Sequence, residues 1–158
     1  MSKVNENQNV EEVQEDALDL SFFMPGAAEE VEAFEEVVSK RFKNKKTGEV
    51  VKWKFKAIST ERVEEFKKNT FKSVVRNNKV VGKETDYPRF LARVAVESTV
   101  YPNLKAAELR KAYKTEDPIE IAKKLLHIAG EYSAWVSFSN RANGLTESAE
   151  ELEEEVKN

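Results

Sequence analysis

A chain of 158 residues has the length of one domain with a single core, and 40% hydrophobic against 35% charged residues point to a small core under a heavily charged surface. The absence of cysteine excludes a disulfide framework, a thiolate nucleophile and a zinc–thiolate site, and fits a reducing compartment. No run approaches 18 apolar residues and the first residues are polar and acidic, so neither a membrane span nor a signal peptide is expected.

The net charge of −3 conceals a partition. Residues 1–33 carry one Lys against nine acids, and residues 144–158 carry one Lys against six. The body between them therefore holds a net +10. Acidic ends flanking a basic body suggest tails that interact with the chain's own surface or repel other chains.

In chain order, residues 1–21 are polar, acidic and free of aromatics, and too poor in apolar groups to offset their ordering entropy. Residues 1–33 are expected to be a disordered acidic tail. Within it Phe22, Phe23 and Met24 form an apolar cluster closed by Pro25-Gly26. It either tucks against the chain's own core or serves as a docking peptide for another chain. From Phe34 onward the period is two: Val51, Trp53, Phe55 and Ala57 alternate with Lys52, Lys54 and Lys56, and Val38 and Phe42 alternate across Lys40. With turn residues over 43–48, this predicts a β-hairpin with a basic outer face.

At Ser59 the period changes to that of a helix. Ser59 or Thr60 can cap a first helix with Val63, Phe66, Thr70, Phe71 and Val74 on its face, and Asn77-Asn78 and Gly82 read as the loop after it. Thr85 or Asp86 starts a second, with Tyr87, Phe90, Leu91, Val94 and Ser98 on one side; Pro102 ends it and Asn103 can cap a short third. The strongest stripe follows, Ile121, Leu125, Ile128, Tyr132 and Trp135, begun by Asp117, Pro118 and Glu120. Gly130 inside it predicts a break or kink, or else a close packing point. After Asn143-Gly144, Leu145, Ala149, Leu152 and Val156 recur at +4, +3, +4 among glutamates, as a frayed tail or a partner-docking helix. The expected architecture is α+β and mainly helical: residues 34–144 form an N-terminal hairpin on four or five helices, and 145–158 form a second acidic tail.

Chemistry is hard to place on this chain. His127 alone cannot build a histidine-rich metal site, the carboxylates form no evident acid–base pair, and no phosphate-cradling glycine motif occurs. No catalytic residue, metal ligand or cofactor-binding residue is expected, and the chain reads as a non-enzyme. The lysine-rich hairpin raises the alternative of a nucleic-acid-binding module masked by its own acidic tails. Alternation puts Trp53 and Phe55 on the face opposite the lysines, which argues against it.

The order of motifs resembles the XkdN-like phage tail assembly chaperones. The similarity runs over roughly residues 34–144 and rests on Val38, Ser39, Arg41 and Phe42; on Trp53, Lys56, Ala57 and Ile58; on Tyr101, Pro102, Asn103 and Leu104; and on Leu126, Gly130, Glu131 and Tyr132. It departs after Tyr132, where Trp135, Phe138 and Ser139 replace a leucine-rich ending. The resemblance implies a protein of the bacterial host's cytoplasm, made by a phage or prophage, that binds the tape measure protein, keeps it soluble and assists tail-tube assembly without entering the mature virion. The tail-tube protein and self-association are further partner candidates, and a membrane partner is not expected. On physical grounds Phe22, Phe23, Met24, Trp135 and Phe138 are the candidate partner-binding residues, because aromatics near thinly covered chain ends suit interface anchors.

Overall fold

The computed structural model describes residues 18–145. The expected disorder of the acidic ends falls mostly outside them, as does the apolar repeat beyond Leu145. The chain divides between Val31 and Glu32 into two units. In the first, Asp19 accepts a hydrogen bond from the Ser21 amide (2.8 Å) and starts a 3-10 turn over Leu20–Phe23. This turn lies within residues 1–33, the segment expected to be an acidic tail.

The described residues of the second unit have an α+β fold with five helices and two antiparallel sheets. Strand β1 (Phe34–Glu36) pairs with β2 (Trp53–Phe55), Phe34 opposite Phe55 and Glu36 opposite Trp53. The expected strand over Val38–Phe42 is a correction. The Ser39 hydroxyl accepts from the Arg41 amide (3.2 Å), a local bond that diverts the backbone from the ladder. Pairing resumes only at the neck of the loop, where Val51 N–H donates to Phe42 C=O (2.7 Å) and Lys43 bridges Val50. The alternation in β2 holds: Trp53 and Phe55 are buried, and Lys52, Lys54 and Lys56 are exposed.

Helix α1 (Thr60–Asn69) is capped by Ser59, whose hydroxyl accepts from the Arg62 amide (3.1 Å). It stops earlier than its apolar spacing suggests. Thr70 turns back and donates its hydroxyl to Phe66 C=O (2.6 Å), and the chain enters β3 (Phe71–Arg76) and then β4 (Lys79–Thr85). The expected loop at Asn77-Asn78 is the two-residue turn of this hairpin, with both asparagines at positive φ (50° and 59°). Asp86 then caps α2 (Tyr87–Ser98), which buries Tyr87, Phe90, Leu91, Val94 and Ser98 as its stripe predicts.

A third strand, β5 (Thr99–Tyr101), joins the other edge of β2, giving the order β1-β2-β5. Helix α3 (Ala107–Tyr113) begins beyond the expected cap. Asn103 instead closes the turn before it, accepting from the Lys105 amide (3.0 Å). The long stripe is two helices, α4 (Pro118–Leu125), capped by Asp117, and α5 (Ala129–Ala142). Gly130 lies just past the break, in the first turn of α5. A Cβ there would meet nothing within 4 Å, so it is no close packing point. The main core gathers Trp53 and Phe55 from the sheet, Ala92, Ala95 and Val96 from α2, Ile121 and Ala122 from α4, and Trp135 from α5.

Candidate partner-binding site

The β3–β4 hairpin exposes the largest group of apolar side chains among the described strands, beside Val100 and Tyr101 on β5. Its ladder sets Val75 opposite Val80 and Phe71 opposite Thr85, so Phe71, Val75 and Val80 share one face, with the Ser73–Lys83 pair between them. Val81 is the extra residue of a bulge between the Val75–Val80 and Val74–Gly82 pairs. Phe71, Val75, Val80 and Val81 are each more than half exposed. The other face carries Lys72, Arg76 and Lys79, with Lys72 paired to Glu84 at 3.4 Å. Among the described residues no third strand joins either edge. A two-stranded ribbon is marginal by itself in water, and exposed apolar strands with open edges are the features that partner segments use.

The residues singled out from sequence divide in two. Phe22, Phe23 and Met24 are exposed in the first unit. Trp135 is a correction: it was expected to project where the body thins, and it is fully buried. Its indole N–H donates to the Thr99 hydroxyl (2.8 Å), which itself donates to Ala95 C=O (2.6 Å), and Tyr132 packs against it at 5.3 Å between centroids. Phe138 is partly buried, 5.9 Å from the Phe55 ring, with the Arg141 guanidinium 5.2 Å from its centroid. Both residues belong to the core, and α5 presents no open aromatic platform there. The hairpin face escaped the sequence reading, although Asn77-Asn78 between valine-rich runs is a hairpin signal.

Two segments far apart in sequence meet at the α4–α5 joint. Arg41 donates from Nε to Glu131 Oε2 (3.0 Å), and from Nη2 to Glu131 Oε1 (2.6 Å) and to Leu125 C=O (3.1 Å). This fork ties the loop after β1 to the end of α4 and the start of α5. The Arg41 hydrogen bonds, with one from Ser39, hold the Glu131 carboxyl down at about 2. Asn143 makes a comparable tie, accepting from the Ile58 amide (2.9 Å) and donating to the Ser98 hydroxyl (2.8 Å).

Other chemistry finds little support. The lysine face of β2 has its aromatics turned into the core, so it offers bases no stacking platform. His127 is exposed in the α4–α5 joint. Among the described residues no group of three His, Asp or Glu could hold a metal ion, and no helix is long and apolar enough to cross a membrane.

The family model for the phage XkdN-like tail assembly chaperone protein matches residues 20–157. The chain belongs to this family. The match extends past 34–144 into both flanking segments. In Bacillus subtilis strain 168, the uncharacterized protein YqbN is 51% identical over 98% of this chain and 100% of its own length. The phage-like element PBSX protein XkdN of the same strain is 46% identical over 93% of this chain and 99% of its own. A crystal structure of YqbN superposes with a TM-score of 0.67 at 48% identity, covering 80% of this chain and 96% of that one.

In this XkdN-like chaperone the motif residues behind the resemblance are structural. Ser39, Arg41 and Glu131 lock the α4–α5 joint, Trp53 and Leu104 fill the core, and Lys56 N–H bonds Ser98 C=O (2.9 Å). These hold the body together, whereas Tyr101, another motif residue, is half exposed on β5.

Proposed function

We propose that this chain binds the tape measure protein of its phage or prophage, keeps that long helical protein soluble, and assists assembly of the tail tube around it. The role is non-catalytic, is performed in the host cytoplasm, and ends before the virion is complete. The β3–β4 hairpin is the principal docking element, and the exposed Phe22, Phe23 and Met24 provide a second contact. The supporting observation is the exposure of Phe71, Val75 and Val80 on one face of a ribbon that is otherwise rich in lysine and arginine. Burying a valine or phenylalanine contributes roughly 1.5–3 kcal/mol, so an amphipathic client segment laid across this face gains substantially. The lysines and arginine on the ribbon keep the client-free chain from pairing edge to edge with its own copies.

Co-expression with a tape measure fragment tests the reading. The variant Val75→Thr with Val80→Lys keeps strand propensity while removing the apolar face. It is expected to retain the wild-type melting temperature and to lose the fragment from the soluble fraction. Phe22→Ser with Phe23→Ser should weaken retention less. Full retention by the folded hairpin variant would move the docking element elsewhere.

A further inference from the structure

The docking face of the β3–β4 hairpin is not uniformly apolar. Along it the cross-strand pairs run Val75–Val80, Ser73–Lys83 and Phe71–Thr85. An exposed ammonium therefore stands midway between two exposed apolar groups. Residues 71–85 carry four cations against one acid. Lys72 pairs with Glu84 at 3.4 Å, and among the described residues Arg76, Lys79 and Lys83 have no carboxylate partner. Arg76 and Lys79 stand opposite each other beside the turn, a like-charge pair that the ladder holds at a cost. The ribbon lacks anions on both of its faces.

The spacing dictates what a partner must supply. Successive pairs on one face lie two residues apart, about 6.7 Å along the ribbon. A segment that covers Phe71 and Val75 together also covers Lys83 between them. Taking an ammonium out of water with no anion opposite it opposes binding. A uniformly apolar segment is penalised at that point, and one that brings a carboxylate there is not. In an α-helix 6.7 Å corresponds to about four residues, and residues four apart share a stripe. We propose that the partner segment is an acidic amphipathic helix, with an Asp or Glu flanked on its stripe by large apolar residues four positions away on either side. Lys83 selects it, and Arg76 and Lys79 favour further acids where the helix passes the turn. This rests on the role proposed for the hairpin and adds which segments of a long helical client it takes. A phosphate backbone would also answer the cations, but it would leave Phe71, Val75 and Val80 uncovered, so the face fits nucleic acid less well.

Two synthetic helical peptides serve as probes, one with a Leu-Glu-Leu stripe at four-residue spacing and one with Lys in place of that Glu. Each is titrated against the full chain by fluorescence anisotropy at low salt. The Glu peptide is expected to bind the wild type about five- to tenfold more tightly than the Lys peptide. Lys83→Glu should reverse that order, an outcome that a disrupted hairpin cannot produce. At about 1 M salt, where the screening length falls to about 3 Å, the preference should nearly vanish. Val75→Thr with Val80→Thr, which leaves every charge in place, should weaken both peptides alike. Equal affinities for the two peptides, binding of neither, or an order unchanged by Lys83→Glu overturns the proposal. So does displacement of the Glu peptide by a DNA duplex at physiological salt, which would assign the cations to nucleic acid. Co-expression with a tape measure fragment separates this proposal from the one beneath it. A fragment lost with the valine variant and fully retained with Lys83→Glu overturns the acidic stripe and leaves the hairpin as docking element. A fragment retained by both variants overturns the two together.

Discussion

In β2, Trp53 and Phe55 alternate with lysines and are buried, with Phe55 against Phe34 on one side and Phe138 on the other. In the β3–β4 hairpin, Val75 and Val80 alternate with Arg76 and Lys79 in the same way, yet remain in solvent. Both sheets satisfy their ladders and leave their lysines exposed. They differ in what lies over the apolar face: α2 and α5 cover the first, and no described element covers the second. Ladder bonds replace bonds to water and contribute little net stability. Burial makes β2 part of the core, and its absence leaves the hairpin as available surface. A chaperone needs both conditions in one chain, because surface that engages a client cannot also be spent on holding the chaperone together.

Removing Trp135 strikes the covered region hardest. Trp135→Ala empties a fully buried site and removes the indole donor to the Thr99 hydroxyl, and the expected loss is roughly 3–5 kcal/mol in urea unfolding. A loss near zero would mean that the core does not depend on α5 as described. A smaller and strictly local effect is expected from Asn78→Val. A β-branched residue at positive φ should cost the turn about 1–2 kcal/mol. Amide exchange should then quicken over residues 71–85 while the sheet and helices keep their protection. If the whole body loses protection, the hairpin belongs to the same cooperative unit and the contrast between the two sheets fails.

The smallest effect is a pH dependence in the covered region. Glu131 has its carboxyl held at about 2 against an ordinary 4.5. Between those values the unfolded chain binds more protons, so stability rises with pH. The Arg41–Glu131 contribution is thus complete above about pH 4.5 and is lost as pH falls toward 2. Glu131→Gln should flatten the acid limb of the melting-temperature profile in that window and leave hairpin exchange unchanged. An unaltered acid limb would show that the fork bond contributes nothing in solution.

Local chemistry alone determined several features of this protein. Ser59, Asp86 and Asp117 are the caps their positions suggest, because an N-cap needs only a short acceptor and the amides that follow it. The alternation around Trp53 and the stripe of α2 were equally legible, since one buried face imposes one period. Tertiary structure decided the rest. Val63, Phe66, Thr70, Phe71 and Val74 satisfy a helical spacing, yet the helix ends at Asn69 because Phe71–Arg76 finds a partner in Lys79–Thr85 across Asn77-Asn78. Strand β5 exists only because β2 offers it an open edge. The residues of the candidate site illustrate the same limit. Trp135 looked exposed while its hydrogen-bond acceptor, 36 residues earlier, was out of view, and Val80 fell within the expected loop, whereas its pairing with Val75 sets both on a strand face that no described element covers. Periodicity reports which side chains share a face, and only the assembled chain decides whether another element covers it.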